Sequence, residues 1–259
     1  MKNANISTIT RGKVLGFPVA ASSPKRVAHL IAAEALVTRN PCLISFADVE
    51  VMARAAHYDD FVAVMKVYDL ICPDSVPVVW MLHDGRTVAE RTAMRLPAVD
   101  IMAEVLKMSA KVTDLKHFFL GGSPEMLMEI EKNVRAMYPG INIAGTYSPP
   151  FTEIGEAESR DIADVIQESE ANIVWVALGC PKQEKWMARH VHVLTPAVYL
   201  TVGTAFAILS GEEKPAPQWM QKMGLEWVLR VVHAPRRFLY RYIRWNVLFL
   251  YYALRGKGK

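Results

Sequence analysis

Residues 172–211, NIVWVALGCPKQEKWMARHVHVLTPAVYLTVGTAFAILSG, restrict the fold more than any other stretch. Two continuous apolar runs, 173–178 and 198–202, flank a segment with helical character. The first run enters Gly179-Cys180-Pro181, after which come Lys182, Gln183, Glu184 and Trp186; the second ends at Gly203. Unbroken apolar runs of this length, alternating with a helix, are the pattern of parallel strands covered on both faces. In such sheets ligands bind beyond the carboxyl ends of the strands, where helix N-termini present unpaired N–H groups. Both glycine turns fall at that edge, so residues 179–183 are the first place to expect an anionic ligand.

The remainder of the chain repeats this alternation. Strands are predicted at 14–21, 41–46, 69–72, 117–120 and 141–145, with helices at 24–38, 49–56, 59–67, 77–83, 100–110, 125–138 and 153–170. Ser23-Pro24 and Ser123-Pro124 each place a capping serine before a proline at the first helical position. No internal repeat of fixed period is present. The expected fold class is therefore α/β, a Rossmann-like open, mainly parallel sheet with helices on both faces.

Past Gly211 the chemistry changes. Residues 214–217 (KPAP) read as a linker between a core at 1–211 and an appendage at 212–259. Between Trp227 and Lys259 lie eight basic residues, Arg230, Arg236, Arg237, Arg241, Arg244, Arg255, Lys257 and Lys259, and no acid. Subtracting those eight from 30 Lys and Arg leaves 22 against 26 acids, so the net +4 resides in the tail. Tryptophan, phenylalanine and leucine between the arginines favour an interfacial helix on anionic lipid over a nucleic-acid patch. The longest apolar run of the tail, 247–254, is far below the roughly 20 residues a spanning helix needs. With three cysteines, two of them inside apolar runs, and no apolar leader at the N-terminus, the expectation is a cytoplasmic, reduced, peripheral protein.

Candidate chemistry concentrates at strand ends. Asp74 follows the 69–72 strand, where apolar walls tune a carboxylate toward general-base work; capping the next helix is the other reading, and spacing does not choose. Ser45 and Asp48 end a neighbouring strand and suit a sugar or phosphate, or a helix cap. Arg95 is a candidate bidentate phosphate clamp or a solvated surface arginine. The turns at Gly121-Gly122-Ser123 and Gly179-Cys180-Pro181 suit diphosphates, although ordinary β–α loops also use glycine. Neither has dinucleotide-fingerprint or P-loop spacing, which disfavours a nucleotide-dependent oxidoreductase. His190 and His192 read as surface or packing groups. No cluster has metal-ligand spacing, and no D-x-D run is present.

Together the strings CPDSVPVVW (72–80), RLPAVDIM (95–102), FFLGGSPE (118–125), ALGCPKQEKW (177–186), VGTAFAILSGE (202–212) and APQWMQKMGLEWVLRVVHAPRRFLYRY (216–242) resemble the WecG/TagA/CpsF glycosyltransferases over nearly all of the chain past about residue 40. The resemblance implies an inverting transferase that moves a hexose or N-acetylhexosamine, such as N-acetylmannosamine or glucose, from a UDP-sugar to an undecaprenyl-diphosphate-linked sugar. It implies bacterial cell-surface polysaccharide synthesis at the cytoplasmic face of the inner membrane, with no bound metal. By the same resemblance Asp74 is the base, and Ser45 with Ala47 or Asp48 holds the place of a Thr-x-Asn donor pocket. Arg95 and Gln183 match family positions, with Gly122, Gly179 and Lys182 beside them as candidate substrate-binding residues. Arg230, Arg237 and Arg241 are the arginines expected to close over the diphosphate. Ser75 stands where glycine is usual, Ala207 where aspartate is common and Pro215 where a basic residue is common, so the donor is left open. Homo-oligomerisation is left open too. A membrane-associated, non-catalytic scaffold of the same fold is the alternative. Deleting everything past about Gly211 is expected to abolish transfer and leave a folded core.

Overall fold

The computed structural model describes residues 5–83, 93–150, 154–233 and 235–256, with the side chains of residues 222, 233, 237 and 238 outside the description. The segment 86–95, basic in sequence, lies outside the described residues up to position 92. The chain opens with an antiparallel hairpin, β1 (Arg11–Val14) and β2 (Phe17–Ala20), where one strand is expected. The turn between them is Leu15-Gly16, both at positive φ (49° and 88°). Two consecutive left-handed residues make the tight hairpin turn whose twist matches paired strands, and Leu15 is not a residue that announces it.

The main sheet has six strands: β3 (Cys42–Ala47), β4 (Leu70–Pro73), β5 (Lys116–Gly121), β6 (Asn142–Tyr147), β7 (Ile173–Ala177) and β8 (Val198–Thr201). Their order is β4-β3-β8-β7-β5-β6, and every neighbouring pair is parallel. The register aligns Ala47 with Pro73, Ser45 with Thr201, Val176 with Thr201, and Gly121 with Ala177. Consequently the residues that follow β3, β4, β5, β7 and β8, namely Asp48, Asp74, Gly122, Gly179 and Gly203, stand along one edge. β3 lies between β4 and β8, so the chain leaves it toward one side of the sheet and later returns on the other. That reversal leaves a crevice at the carboxyl edge.

One face of the sheet packs on α1 (Pro24–Ala35), α5 (Ala98–Ser109), α6 (Pro124–Met137) and α9 (Ala205–Ser210). The other face receives α2 (Val49–His57), α3 (Asp59–Lys66), α4 (Val76–His83), α7 (Glu156–Glu168) and α8 (Lys182–His190). Alternate strand residues supply the two cores: Leu43 and Ile71 point one way, Ile44, Leu70 and Cys72 the other. The two serine caps behave differently. Ser123 Oγ accepts from Met126 N at 3.2 Å, whereas Ser23 caps α1 by backbone conformation alone. Gly121 is required sterically: a Cβ there would stand 2.4 Å from the Ala177 carbonyl oxygen.

Beyond Gly211, which closes α9 in the left-handed conformation, three helices follow: α10 (Gln218–Met223), α11 (Glu226–His233) and α12 (Pro235–Leu254). α12 lies against α2 and inserts Trp245, Phe249 and Tyr252 into the same core as the sheet. Arg54 stacks 4.1 Å over the Trp245 ring, and Tyr252 Oη bonds His57 Nδ1 at 2.8 Å. Each buried aromatic contributes roughly 2–3 kcal/mol of burial energy. Deletion past Gly211 would therefore uncover α2, so loss of activity in such a truncation has a packing cause as well as a chemical one. Among the described residues no helix is long and apolar enough to cross a membrane.

Candidate active site

Asp74 leaves β4 at the carboxyl edge, its N–H donating to the Ala47 carbonyl at 3.0 Å. Its carboxylate Oδ1 accepts from Ala98 N at the start of α5, at 3.2 Å. Burial raises the Asp74 carboxyl to about 6; nearby Asp48 and Glu226 push the same way, while Arg95 and the Ala98 N–H oppose them. Arg95 does not pair with this carboxylate. Its Nε donates to the Asp74 backbone carbonyl, Nη1 to the Gln221 carbonyl at 3.0 Å, and Nη2 pairs with Glu226 Oε2 at 2.6 Å. The arginine is thus a strut between the Asp74 turn and the appendage, neither a solvated surface residue nor an unengaged clamp. Among the described residues no salt bridge takes the Asp74 carboxylate, which stays available as a proton acceptor.

Asp48 is the N-cap of α2, its Oδ1 accepting from Val51 N at 2.9 Å. The expectation for Asp48 left capping and substrate contact open, and the structure shows the cap. Burial raises this carboxyl; the Val51 N–H opposes, Glu50 adds to the rise, and Arg241 and Arg230 lower it. Ser45 lies within β3, one turn of pleat before the edge, fully buried. The Oγ atoms of Ser45 and Ser75 are enclosed without a hydrogen-bond partner among the described residues. An enclosed hydroxyl left unpaired costs about 1–3 kcal/mol, so both are places where a polar ligand group gains a ready partner.

The Gly179 turn is closed by Gln183. Its Oε1 accepts from Gly179 N at 3.2 Å, and its Nε2 donates to Glu184 Oε1 at 2.8 Å. Gly179 takes φ 81°, a conformation natural to glycine. The Cys180-Pro181 peptide is cis. Lys182 begins α8 at the same edge, and Gly122, at the top of β5, accepts from Ser148 Oγ through its carbonyl at 2.7 Å. His190 is buried with Nδ1 on the Trp186 carbonyl, a packing role.

From the appendage, Arg230 donates to Thr204 Oγ1 at 2.8 Å, just past β8, and to Tyr242 Oη at 3.4 Å. Arg241 donates through Nε to Glu50 Oε2. The side chain of Arg237 lies outside the described residues. Two carboxylates escaped the sequence reading. Glu50 is buried on α2 and holds Arg54 and Arg241 together, with Arg54 Nη2 at 2.7 Å from its Oε1. Glu184 is buried in α8 beside Gln183; burial raises its carboxyl to about 7. For Glu50 the sequence signal is an acid set among apolar neighbours, VEVMA; Glu184, between Gln183 and Lys185, carries no such signal.

The edge therefore joins a proton acceptor, two unsatisfied hydroxyls, a glycine turn before a helix and arginines delivered by a separate segment. Among the described residues no group of three or more His, Cys, Asp or Glu stands together as a metal site. The family model for the glycosyl transferase WecG/TagA/CpsF family matches residues 12–259. The chain is 30% identical over 196 residues to N-acetylglucosaminyldiphosphoundecaprenol N-acetyl-beta-D-mannosaminyltransferase of Bacillus subtilis strain 168, covering 76% of this chain and 73% of that protein. The protein of the same name from Bacillus spizizenii is 30% identical over 203 residues, covering 78% of this chain and 72% of its own length. The carboxyl-edge site thus sits in a glycosyltransferase, and the chain belongs to the WecG/TagA/CpsF family.

Proposed function

We propose that this enzyme transfers a hexose or N-acetylhexosamine from a UDP-sugar, with inversion and without a metal, to a sugar on undecaprenyl diphosphate. The observation that carries the reading is Asp74, a carboxylate at the sheet edge raised to about 6 and ion-paired to no described residue. A base of that strength is charged at neutral pH yet holds a proton well enough to take one from an acceptor hydroxyl. As the proton moves to Asp74, the acceptor oxygen bonds to the anomeric carbon. The bond from that carbon to the UDP oxygen breaks, and its electron pair leaves with the diphosphate. In this reading Arg230 and Arg241, with the N-terminus of α8 behind Gly179, stabilise the departing charge. The curated relatives support a lipid-linked acceptor, since their names give N-acetylglucosaminyldiphosphoundecaprenol as substrate. Ser75 and Ala207 leave the donor sugar to be found.

The appendage supports a peripheral position on the cytoplasmic membrane face. Leu239, Ile243, Val247, Leu250 and Leu254 form one exposed stripe on α12, about 22 Å long at the rise of an α-helix. Trp219 on α10 and Trp227 on α11 are exposed as well. Such a stripe beside arginines matches an interfacial helix on anionic lipid.

Transfer of radiolabel from a panel of UDP-sugars to a lipid-diphosphate acceptor, with Asp74→Asn as control, tests the reading. Loss of the general base is expected to lower the rate by about 10²–10⁴. In the unaltered enzyme kcat/KM is expected to fall as pH drops through about 6, where Asp74 gains its proton. Full activity in the Asp74→Asn enzyme would remove Asp74 as the base, and no transfer from any donor would leave the scaffold reading standing.

A further inference from the structure

The appendage meets the Asp74 turn at two separate points. At the first, Gly224 ends α10 at φ 70° and comes so close to Val76, two residues past Asp74, that a Cβ would lie 2.9 Å from the Val76 Cβ. At the second, Arg95 holds the Asp74 carbonyl on one side and Gln221 and Glu226 on the other. Leu96 N also donates to the Pro73 carbonyl at 2.8 Å, so the Arg95 segment runs along the end of β4. The Arg95–Glu226 pair is largely shielded, with side chains 18% and 33% exposed. A charge-assisted contact this short, anchored at the residue that carries the base, is a mechanical and an electrical link at once.

We propose that Glu226 is a positioning residue for glycosyl transfer, its ion pair with Arg95 latching α10 and α11 onto the turn that bears Asp74 and tuning that carboxylate as a base. The inference rests on Asp74 being the base. The electrical part follows from the groups that face Asp74. Arg95, the α11 residue Arg230 and the Ala98 N–H favour its charged form; Asp48 at the α2 N-terminus and Glu226 on α11 disfavour it, while the neighbouring Cys72 thiol on β4 is raised by burial and stays neutral. Glu226 acts twice, as a like charge and as the partner that offsets the Arg95 cation. Neutralising it leaves Arg95 unopposed, which makes Asp74 a stronger acid and hence a weaker base. In this way the docked appendage and the reactivity of the core are set together. The catalytic turn is fully tuned only when the tail is in place.

The test is the pH dependence of kcat/KM for the full chain with a UDP-sugar and a lipid-diphosphate acceptor, from pH 5 to 9. Glu226→Gln is expected to lose about tenfold on the plateau and to carry its acidic limb to lower pH. Glu226→Asp, which restores the charge, is expected to return the limb toward that of the unaltered enzyme. Gly224→Ala attacks the other contact and is expected to move the limb in the same direction as Glu226→Gln. A Glu226→Gln enzyme whose limb stays in place, whether or not the rate falls, overturns the latch, because a purely structural loss lowers the plateau without shifting it. Asp74→Asn separates the two readings. If it keeps full activity, the assignment of the base has failed; if it is inactive while the Glu226→Gln limb is unmoved, the latch alone has failed.

Discussion

The sheet core and the appendage solve the same packing problem differently. In the core both faces of every inner strand are covered, and β3 is buried along all of its length. In the appendage α12 is covered on one face only: Trp245 is 4% exposed, whereas Leu254 is 80% exposed. Charge divides the same way. Acids that touch the site, Asp48, Glu50, Asp74 and Glu184, come from the core, and the described site arginines of the tail, Arg230 and Arg241, meet them from outside. A core built alone would hold an acidic crevice that repels a nucleotide diphosphate. The tail's arginines offset that charge, and its open apolar face is the surface proposed above to meet lipid. Half of the site is therefore a docking event, stabilised by the aromatic residues that bind α12 to α2.

Three measurements break or sharpen this contrast. The largest effect is expected from the two faces of α12. Trp245→Ala should lower stability by roughly 3–5 kcal/mol, as large-to-small core changes do, while Val247→Ala on the open face should stay within about 0.5 kcal/mol. Chemical denaturation decides it, and equal losses would mean that the tail is not divided into a packed and an open side. Next, Val247→Glu should weaken flotation with anionic vesicles by roughly 1.5–3 kcal/mol, the worth of one buried aliphatic side chain. Unchanged flotation would remove the stripe from the account of the membrane. The smallest effect belongs to Glu184 in the core. Burial holds its carboxyl near 7 against an ordinary value of 4.5, so the folded state keeps a proton that the unfolded chain releases. Between those pH values its contribution to stability declines as pH rises. Glu184→Gln should flatten that decline, read as the change in Tm between pH 5 and pH 8. An identical slope in the variant would show that this carboxyl is not the source.

Strand and helix order was legible because periodicity is local. The runs 173–178 and 198–202 appear as β7 and β8 within a residue or so, and Pro24 and Pro124 begin helices as their chemistry requires. The hairpin was not legible, since its Leu15-Gly16 turn depends on a leucine held at positive φ by pairing on either side. At the site, Asp74, Gly179 and Gln183 could be placed at the edge by counting from strand ends. The engagement of Arg95 could not, because its partners Gln221 and Glu226 lie more than a hundred residues away in sequence. The burial of Glu50 and Glu184 went unread for a related reason: an acid in a helix declares burial only through what packs over it, here α12 in one case and Tyr68 with α3 in the other.

The sequence alone determined the α/β alternation, the parallel character of the strands, the basic and aromatic nature of the tail, and the motifs that mark a glycosyltransferase. Those properties reside in neighbouring residues, in apolar period and in turn chemistry. Only the tertiary structure decided that the tail shares the core's apolar packing, that Arg95 ties it to the Asp74 turn, and that burial sets the strength of that carboxylate. Burial and ion pairing between distant segments depend on which surfaces meet, and no local pattern encodes that meeting.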